Sequence, residues 1–370
     1  MESKIRYWVW LSSVPGVGAV KSRKLLEHFK DIYNVWNAKR DELGVLPFLS
    51  RTDVSNLTDE KIKENTDNLL ESITKHNIKV VTIEDSMYPL YLKNIYDPPI
   101  VIYMKGNIGK DEKYLAVVGS RRASSYGIRM AQAISGELAK YGITVVSGMA
   151  RGIDSYAHKG ALDVGGRTIA VLGCGLDIAY PSENKKLMEN IVLNGACISE
   201  YLPGTTPAPG NFPARNRIIS GISLGVIVIE AGERSGSLIT ANFALEQGRE
   251  VFALPGNVSN YNSTGTNKLI KEGAKIVTGI DDILEEINIS FSEDKIKDFF
   301  SQRFEGDKLL KDLDDDEKKV VECLKLEPLH IDVISRKTGI SVAMISSILI
   351  MLELKGIVEQ LPGKIFKLKF

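Results

Sequence analysis

Residues 115–152 read LAVVGSRRASSYGIRMAQAISGELAKYGITVVSGMARG. The short apolar run Leu115–Val118 ends at a glycine turn, Gly119-Ser120-Arg121-Arg122. An amphipathic stretch starting near Ser124–Gly127 and running to Tyr141 is long enough for a helix. A second β-branched run, Thr144–Ser147, ends at a second glycine turn that continues to Arg151 and Gly152. This is a strand–helix–strand unit, and the pattern extends in both directions. Apolar runs recur at Lys79–Ile83, Ile100–Tyr103, Thr168–Leu172, Val226–Glu230 and Glu250–Leu254, with a further helical stretch at Ser237–Gln247. Near-continuous apolar strands alternating with helices predict an α/β fold with a parallel sheet covered on both faces. The two earliest strands are expected to extend that sheet at one edge.

The flanks read differently. Residues 1–77 are helical, with Leu25, Leu26 and Phe29 at helical spacing behind a tight turn, Pro15-Gly16-Val17-Gly18. The sheet pattern occupies 78–289. Residues 290–316 lose it, with an acidic run at Asp312–Glu317, and read as a linker. Residues 317–370 predict helices at Lys318–Leu326, Ile331–Thr338 and Ser341–Leu354, the last capped by Gly356. A hairpin turning at Pro362-Gly363 follows, which completes the layout of a winged helix-turn-helix.

The chain has 370 residues, enough for two or three domains, and its 44% hydrophobic and 25% charged residues are ordinary for a globular protein. Its 47 basic and 47 acidic residues cancel, so any phosphate binding has to come from a local patch. Cys174, Cys197 and Cys323 are too few and too scattered for a disulfide framework or a zinc knuckle, and a cytoplasmic setting fits. The N-terminus, MESKIRYWVWL, makes a poor signal peptide. The longest apolar candidate, Ile218–Ile229, is broken by Ser220, Gly221, Ser223 and Gly225, so no membrane span is expected. Neither a metal nor a cofactor is expected.

Four glycine-bearing turns carry the chemistry. Glycine lets a backbone approach a bulky ligand, while arginines and helix N-terminal amides attract oxyanions. Gly119, Ser120, Arg121 and Arg122 form the first such turn, and Ser147, Gly148 and Arg151 belong to the second. In the second, Asp154 and His158 stand one helical turn apart, either as an acid/base pair or as a cap with a local hydrogen bond. Residues 173–179, GCGLDIA, imitate a dinucleotide fingerprint, but the third small residue comes one position late and Tyr180-Pro181 stands where the helix should run. Lys185 and Lys186 fall in the first turn of the next helix, where they either meet an anion or are solvated. Residues 211–217, NFPARNR, place Arg215 and Arg217 beside Phe212: arginines for phosphates and a ring for a base. Asn216 between them is expected to tie this loop to its own backbone. Arg234, Ser235, Gly236 and Ser237 form the fourth turn, for a phosphate or as a helix cap. Together these turns suggest a surface for nucleic acid.

Two further segments leave alternatives open. The Gly16-Val17-Gly18 hairpin, with Lys21, Arg23 and Lys24, suits either a duplex backbone or helix packing. The third helix of the winged unit carries no arginine, lysine, asparagine or glutamine. Its basic residues, Lys364, Lys367 and Lys369, lie on the wing, which favours a protein contact or weak phosphate contact over base readout.

The order of VVGSRR, SGMARGID, IAVLGCGLDIAYP, FPARNRIISG, SGSLITA and FALPGN resembles the DprA/Smf family, most strongly over Tyr88–Val277. The resemblance implies an extended Rossmann-like core with an N-terminal SAM-like or helix-hairpin-helix domain and a C-terminal winged helix. It implies a protein that binds and protects single-stranded DNA, loads the RecA recombinase in natural transformation, and self-associates through its core as a homodimer. It matches Gly119, Ser120 and Arg121 to the family's DNA-binding loop, and Phe212 to an aromatic beside the bound strand. Where family members often carry a basic residue before that aromatic, this chain has Pro209-Gly210-Asn211. The competing enzyme reading is a nucleotide hydrolase similar to LOG-type phosphoribohydrolases, but Glu230–Ser237 lacks their PGGxGT turn.

Overall fold

The computed structural model describes residues 2–109, 112–287, 313–324, 328–355 and 357–368. They form two compact units divided after residue 289. The first unit opens with six helices: α1 (Glu2–Ser13), α2 (Ala19–Phe29), α3 (Ile32–Asn37), α4 (Arg40–Gly44), α5 (Arg51–Leu57) and α6 (Glu60–Lys75). The sheet begins with β1 (Lys79–Thr82), the short α7 (Leu90–Lys93) and β2 (Val101–Gly106). Next come β3 (Lys113–Val118), α8 (Ser125–Lys140), β4 (Ile143–Ser147), α9 (Ile153–Asp163), β5 (Thr168–Leu172), α10 (Lys185–Asn194) and β6 (Gly195–Ser199). The unit closes with α11 (Asn211–Ile222), β7 (Gly225–Val228), α12 (Ser237–Glu246), β8 (Glu250–Ala253), α13 (Thr264–Lys271), β9 (Lys275–Ile276) and α14 (Ile280–Glu286).

The nine strands lie in the order β1-β2-β6-β5-β4-β3-β7-β8-β9. From β6 to β9 every pairing is parallel, while β1 and β2 add antiparallel strands at one edge. The middle strands are buried along their whole length, as a sheet covered on both faces requires. Two strands escape the sequence pattern. β6 reads GACIS, and a Cβ on Gly195 would lie 2.0 Å from the Thr168 carbonyl oxygen, so close strand approach selects a residue that hides the strand signal. β9 is two exposed residues.

The apolar core continues across residue 77. Trp8, Trp10, Leu25 and Ile32 from the first helices belong to one cluster with Tyr103, Leu172, Ile191 and Cys197 on one face of the sheet. The hydroxyls of Ser12 and Tyr103 meet at 2.8 Å across that junction. The other face packs against α11 and α12 through Ile218, Ile222, Ala241 and Ala244. The Gly16–Gly18 turn joins α1 to α2 as expected, but its cations are occupied. Lys21 donates to the Gly16 carbonyl and to Asp53, and Arg23 pairs with Glu27.

The second unit is a helix-turn-helix with a wing. It contains α15 (Asp315–Leu324), β10 (Leu329–His330), α16 (Ile331–Thr338), α17 (Val342–Leu354), β11 (Val358–Leu361) and β12 (Ile365–Leu368), with strand order β10-β12-β11. Helices α16 and α17 meet at 110° around Gly339, whose φ of 72° is the left-handed turn a glycine accepts readily. Val320, Ile334, Ile345, Leu349 and Ile357 fill its core. Of the expected linker, residues 290–312 lie outside the described residues. Residues 313–316 already belong to this unit, since Leu313 is buried and α15 starts at Asp315. Gly356 and Lys369 also lie outside the described residues. Among the described residues no single helix is long and apolar enough to cross a bilayer.

Candidate nucleic-acid cleft

Strand order reverses between β3 and β7: from β3 the chain moves through β4, β5 and β6 to one side, and from β7 through β8 and β9 to the other. The connections leaving two such neighbours part at their carboxyl ends and open a crevice, where open α/β sheets bind ligands. Here it is a cleft of about 700 Å³, lined by the Gly119–Arg122 turn, the start of α11, the Arg234–Ser237 turn and Tyr261-Asn262. Two of the glycine turns named from the sequence, the first and the fourth, therefore meet here, and Ala150 of the second joins them.

Their backbone amides do not all point into the cleft. The Ser120 N–H donates to the Glu230 carbonyl at 2.8 Å, and the Arg122 N–H donates to the Ser120 hydroxyl at 3.1 Å. The amide of Gly148 donates to Asp154 at 3.2 Å. At the N-terminus of α8, the buried Glu230 carboxylate accepts from the Ser124 N–H at 2.9 Å and from the Ser124 hydroxyl. The positive end of that helix is thus satisfied internally. Gly119 serves packing, since a Cβ there would sit 2.7 Å from Ile153. Gly236 is different: nothing lies within 4 Å of where its Cβ would be.

Charge comes from the side chains. Arg121 and Arg122 are exposed, as is Arg234, and among the described residues none of the three is in an ion pair. Arg121 holds its guanidinium 5.5 Å from the centroid of the Phe212 ring. Phe212 lies in the first turn of α11, not in a loop as the sequence suggested, and it is half-buried. Tyr180 stacks beside it at 5.3 Å with 29° between the planes, and Arg215 lies 5.9 Å from its centroid. The ring is therefore covered by three partners, and the exposed aromatic surface here belongs to Tyr180.

Arg215 is buried. It donates to the carbonyl of Gly148 at 2.8 Å and to that of Val171, pinning α11 to the ends of β4 and β5. Burial lowers its pKa, and burial raises that of Asp154 beside it, with each charge partly offsetting the other's cost. Asn216 does not bond its own backbone. Its side-chain oxygen accepts from Arg215 at 3.2 Å and its amide reaches the Gly236 carbonyl at 3.4 Å, joining two walls of the cleft. Ser235 and Ser237 share a hydrogen bond between hydroxyls at 2.8 Å on the opposite wall.

Several residues named from the sequence stand elsewhere. Arg217 is buried on the other side of α11, bonded to Asp97 at 2.8 Å and Glu200 at 2.7 Å, because alternate helical positions face opposite ways. Ser147 is buried and donates to the Val117 carbonyl at 2.7 Å. Arg151 is exposed but paired through two nitrogens with Glu183. Lys185 is exposed at the start of α10 and does not line the cleft. Asp154 and His158 act separately. His158 is buried against Thr168 at 2.7 Å, and burial pushes its pKa down to about 3. Among the described residues no cluster of acids, histidines or cysteines could hold a metal ion.

Sequence reasoning gave no ligand role to Tyr180, Tyr261 and Asn262, which all line the cleft, and named Arg234 only as part of the fourth turn. Tyr180 was legible as an aromatic in a turn beside a strand end. Tyr261 had no comparable signal, since it sits in the polar run NVSNYNST.

The fold and its parts define a class: DNA-processing recombination mediators with an appended winged helix. The model of the DNA recombination-mediator protein A family matches residues 79–288, and that of the DprA winged helix domain matches 307–364. The chain belongs to the DprA/Smf family. Protein Smf of Synechocystis is 34% identical over 98% of both chains. DNA processing protein DprA of Streptococcus pneumoniae is 48% identical over 55% of this chain and 73% of its own length. The X-ray structure of the Streptococcus pneumoniae protein superposes with a TM-score of 0.63 at 36% identity, over 78% of this chain and 99% of that one. A structure of DNA processing protein A from Helicobacter pylori, described for its unique single-stranded DNA binding mode, gives a TM-score of 0.52 at 32% identity. It covers 57% of this chain and 97% of that one.

Proposed function

We propose that this chain is a non-enzymatic mediator that holds single-stranded DNA along the carboxyl edge of its sheet, protects it, and loads the RecA recombinase onto it during natural transformation in the cytoplasm. One observation carries the reading. Arg121, Arg122 and Arg234, without ion-pair partners among the described residues, converge on a switch-point cleft that carries the Phe212–Tyr180 stack on one flank. Guanidinium forks suit phosphate oxygens, and an aromatic face accepts any base. The DNA contacts are assigned to Arg121, Arg122, Tyr180, Phe212, Asn216, Gly236 and Arg234, with Arg215 and Gly119 shaping the floor. Self-association through the core belongs to the same reading.

The carboxylates near the cleft support a binding rather than a hydrolytic role. Asp154 is held by the Gly148 amide beside Arg215, and Glu230 is held by Ser124, so neither is free to take a proton from water. The direct test is RecA filament assembly on a strand already coated with a single-strand-binding protein. The wild type should accelerate assembly and Arg121→Glu should not. A wild type that binds the strand yet leaves RecA assembly unchanged would remove the loading role. Release of free base from nucleoside monophosphates would replace the whole reading with a hydrolase.

A further inference from the structure

The Phe212–Tyr180 stack occupies one flank of the cleft, at the carboxyl end of β5. On the other flank, in the connection after β8 and against the end of β7, stands Tyr261, 65% exposed and lining the same cleft. It is held rigidly. Its 3-10 turn, Tyr261–Ser263, is capped by the Asn260 side chain, which accepts from the Asn262 N–H at 3.0 Å. The Ala231 N–H donates to the Asn262 carbonyl, and the Gly265 N–H donates to the Ala231 carbonyl, both at 2.8 Å, so the turn is stitched to the end of β7. The Asn262 side chain donates to the Arg122 carbonyl at 3.0 Å, which ties it to the arginine turn. The ring rests by its edge on Gly232, where a Cβ would lie 2.4 Å from Tyr261 Cε1. Glycine at that position makes the seat, and nearly two-thirds of the residue is left to solvent. An exposed aromatic held this firmly on a cleft wall loses little entropy on stacking.

We propose that Tyr261 is a second base platform, at the far end of the cleft from Phe212 and Tyr180, so that a bound strand runs across the sheet from β5 to β7. This rests on the reading of the cleft as a single-stranded DNA site. Three strand steps separate β5 from β7, about 14 Å at ~4.8 Å per step. That distance is spanned by at most about four nucleotides at the ~3.4 Å per nucleotide of a stacked strand. Arg121 and Arg122 lie between the platforms in the strand order, where the intervening phosphates pass.

The test is binding of fluorescent oligo-dT from three to twelve nucleotides, short enough to limit each strand to few proteins. Wild-type affinity should rise with length until both platforms are reached. Tyr261→Ala should match the wild type on the shortest strands and fall about 5- to 150-fold behind on the longer ones, the range of one lost base stack. Tyr261→Phe, which keeps the ring, should restore wild-type affinity at every length and so separate stacking from folding. Equal binding by Tyr261→Ala and the wild type at all lengths, with Arg121→Glu still defective, overturns the second platform and leaves the cleft reading standing. Uniform weakening at every length also overturns it. Unimpaired binding by Arg121→Glu would remove the cleft reading and this proposal together.

Discussion

The carboxylate of Glu230, at the end of β7, accepts hydrogen bonds from both the backbone N–H and the hydroxyl of Ser124, which caps α8 after β3. The two residues stand on either side of the point where strand order reverses, where many α/β proteins place a bound phosphate. Gly127 makes room for the carboxylate, since a Cβ there would be 2.4 Å from it. The protein thus fills its own helix terminus with an internal anion. Attraction for an external polyanion falls to arginine side chains at the rim.

A small number of charges then sets the salt dependence. With Arg121, Arg122 and Arg234 each neutralising one phosphate, the logarithm of the affinity for short oligo-dT should fall against the logarithm of salt concentration with a slope of about −2, at about −0.7 per phosphate. Changing any one of the three to alanine should make the slope shallower by about 0.7. Titrations across salt concentrations check this. A slope near zero would exclude these contacts.

Phe212 supports both Tyr180 and Arg121. Phe212→Ala should therefore weaken binding more than Tyr180→Ala, which removes one exposed stack worth about 1–3 kcal/mol. Both variants should keep the thermal stability of the core within a few degrees. Anisotropy titration and a melting curve on each variant measure the two quantities.

Arg217 belongs to the fold, not to the ligand. Arg217→Met removes the partner of Glu200 and Asp97, leaving Glu200 largely buried. The expected cost is about 2–4 kcal/mol, less than a fully enclosed pair would show because Asp97 is one-third exposed. Urea unfolding should register the loss, and oligo-dT affinity of the folded fraction should stay near wild type.

His158 makes stability depend on acid. Its Nδ1 donates to the Thr168 hydroxyl, which itself donates to the Val145 carbonyl, and the ring is wholly buried. Burial, then the nearby Arg215, lowers its pKa from 6.5 to about 3. The unfolded chain takes up the proton first, so this contribution is fully present above pH 6.5 and is lost as pH falls toward 3. Between pH 6.5 and 5 the loss is about 1.7 kcal/mol, its slope approaching about 1.36 per pH unit below the unfolded pKa. Urea unfolding at both pH values should show a flatter dependence for His158→Gln.

Much of the fold was written in apolar periodicity. LAVV, TVVS and TIAVL read as buried strands because nothing polar interrupts them, and the winged unit's Ile331–Thr338 helix is bounded as the sequence suggested. β6 stayed hidden because close approach to β5 demands glycine at its start. The site was legible as a set of turns but not as a set of directions. Arg215 and Arg217 look equivalent in NFPARNR, yet helical geometry buries one beneath the cleft and turns the other away. Tyr261 was invisible because its role depends on a neighbour, Gly232, 29 residues earlier.

The central claim is that an unpaired strand lies across the carboxyl edge of the sheet. A crystal of the full chain grown with oligo-dT tests it most directly. The account predicts phosphate oxygens within hydrogen-bond reach of Arg121 and Arg122, and a base against the Tyr180–Phe212 stack. A strand bound to the winged unit or to the α1–α2 hairpin, with the cleft empty, would contradict it.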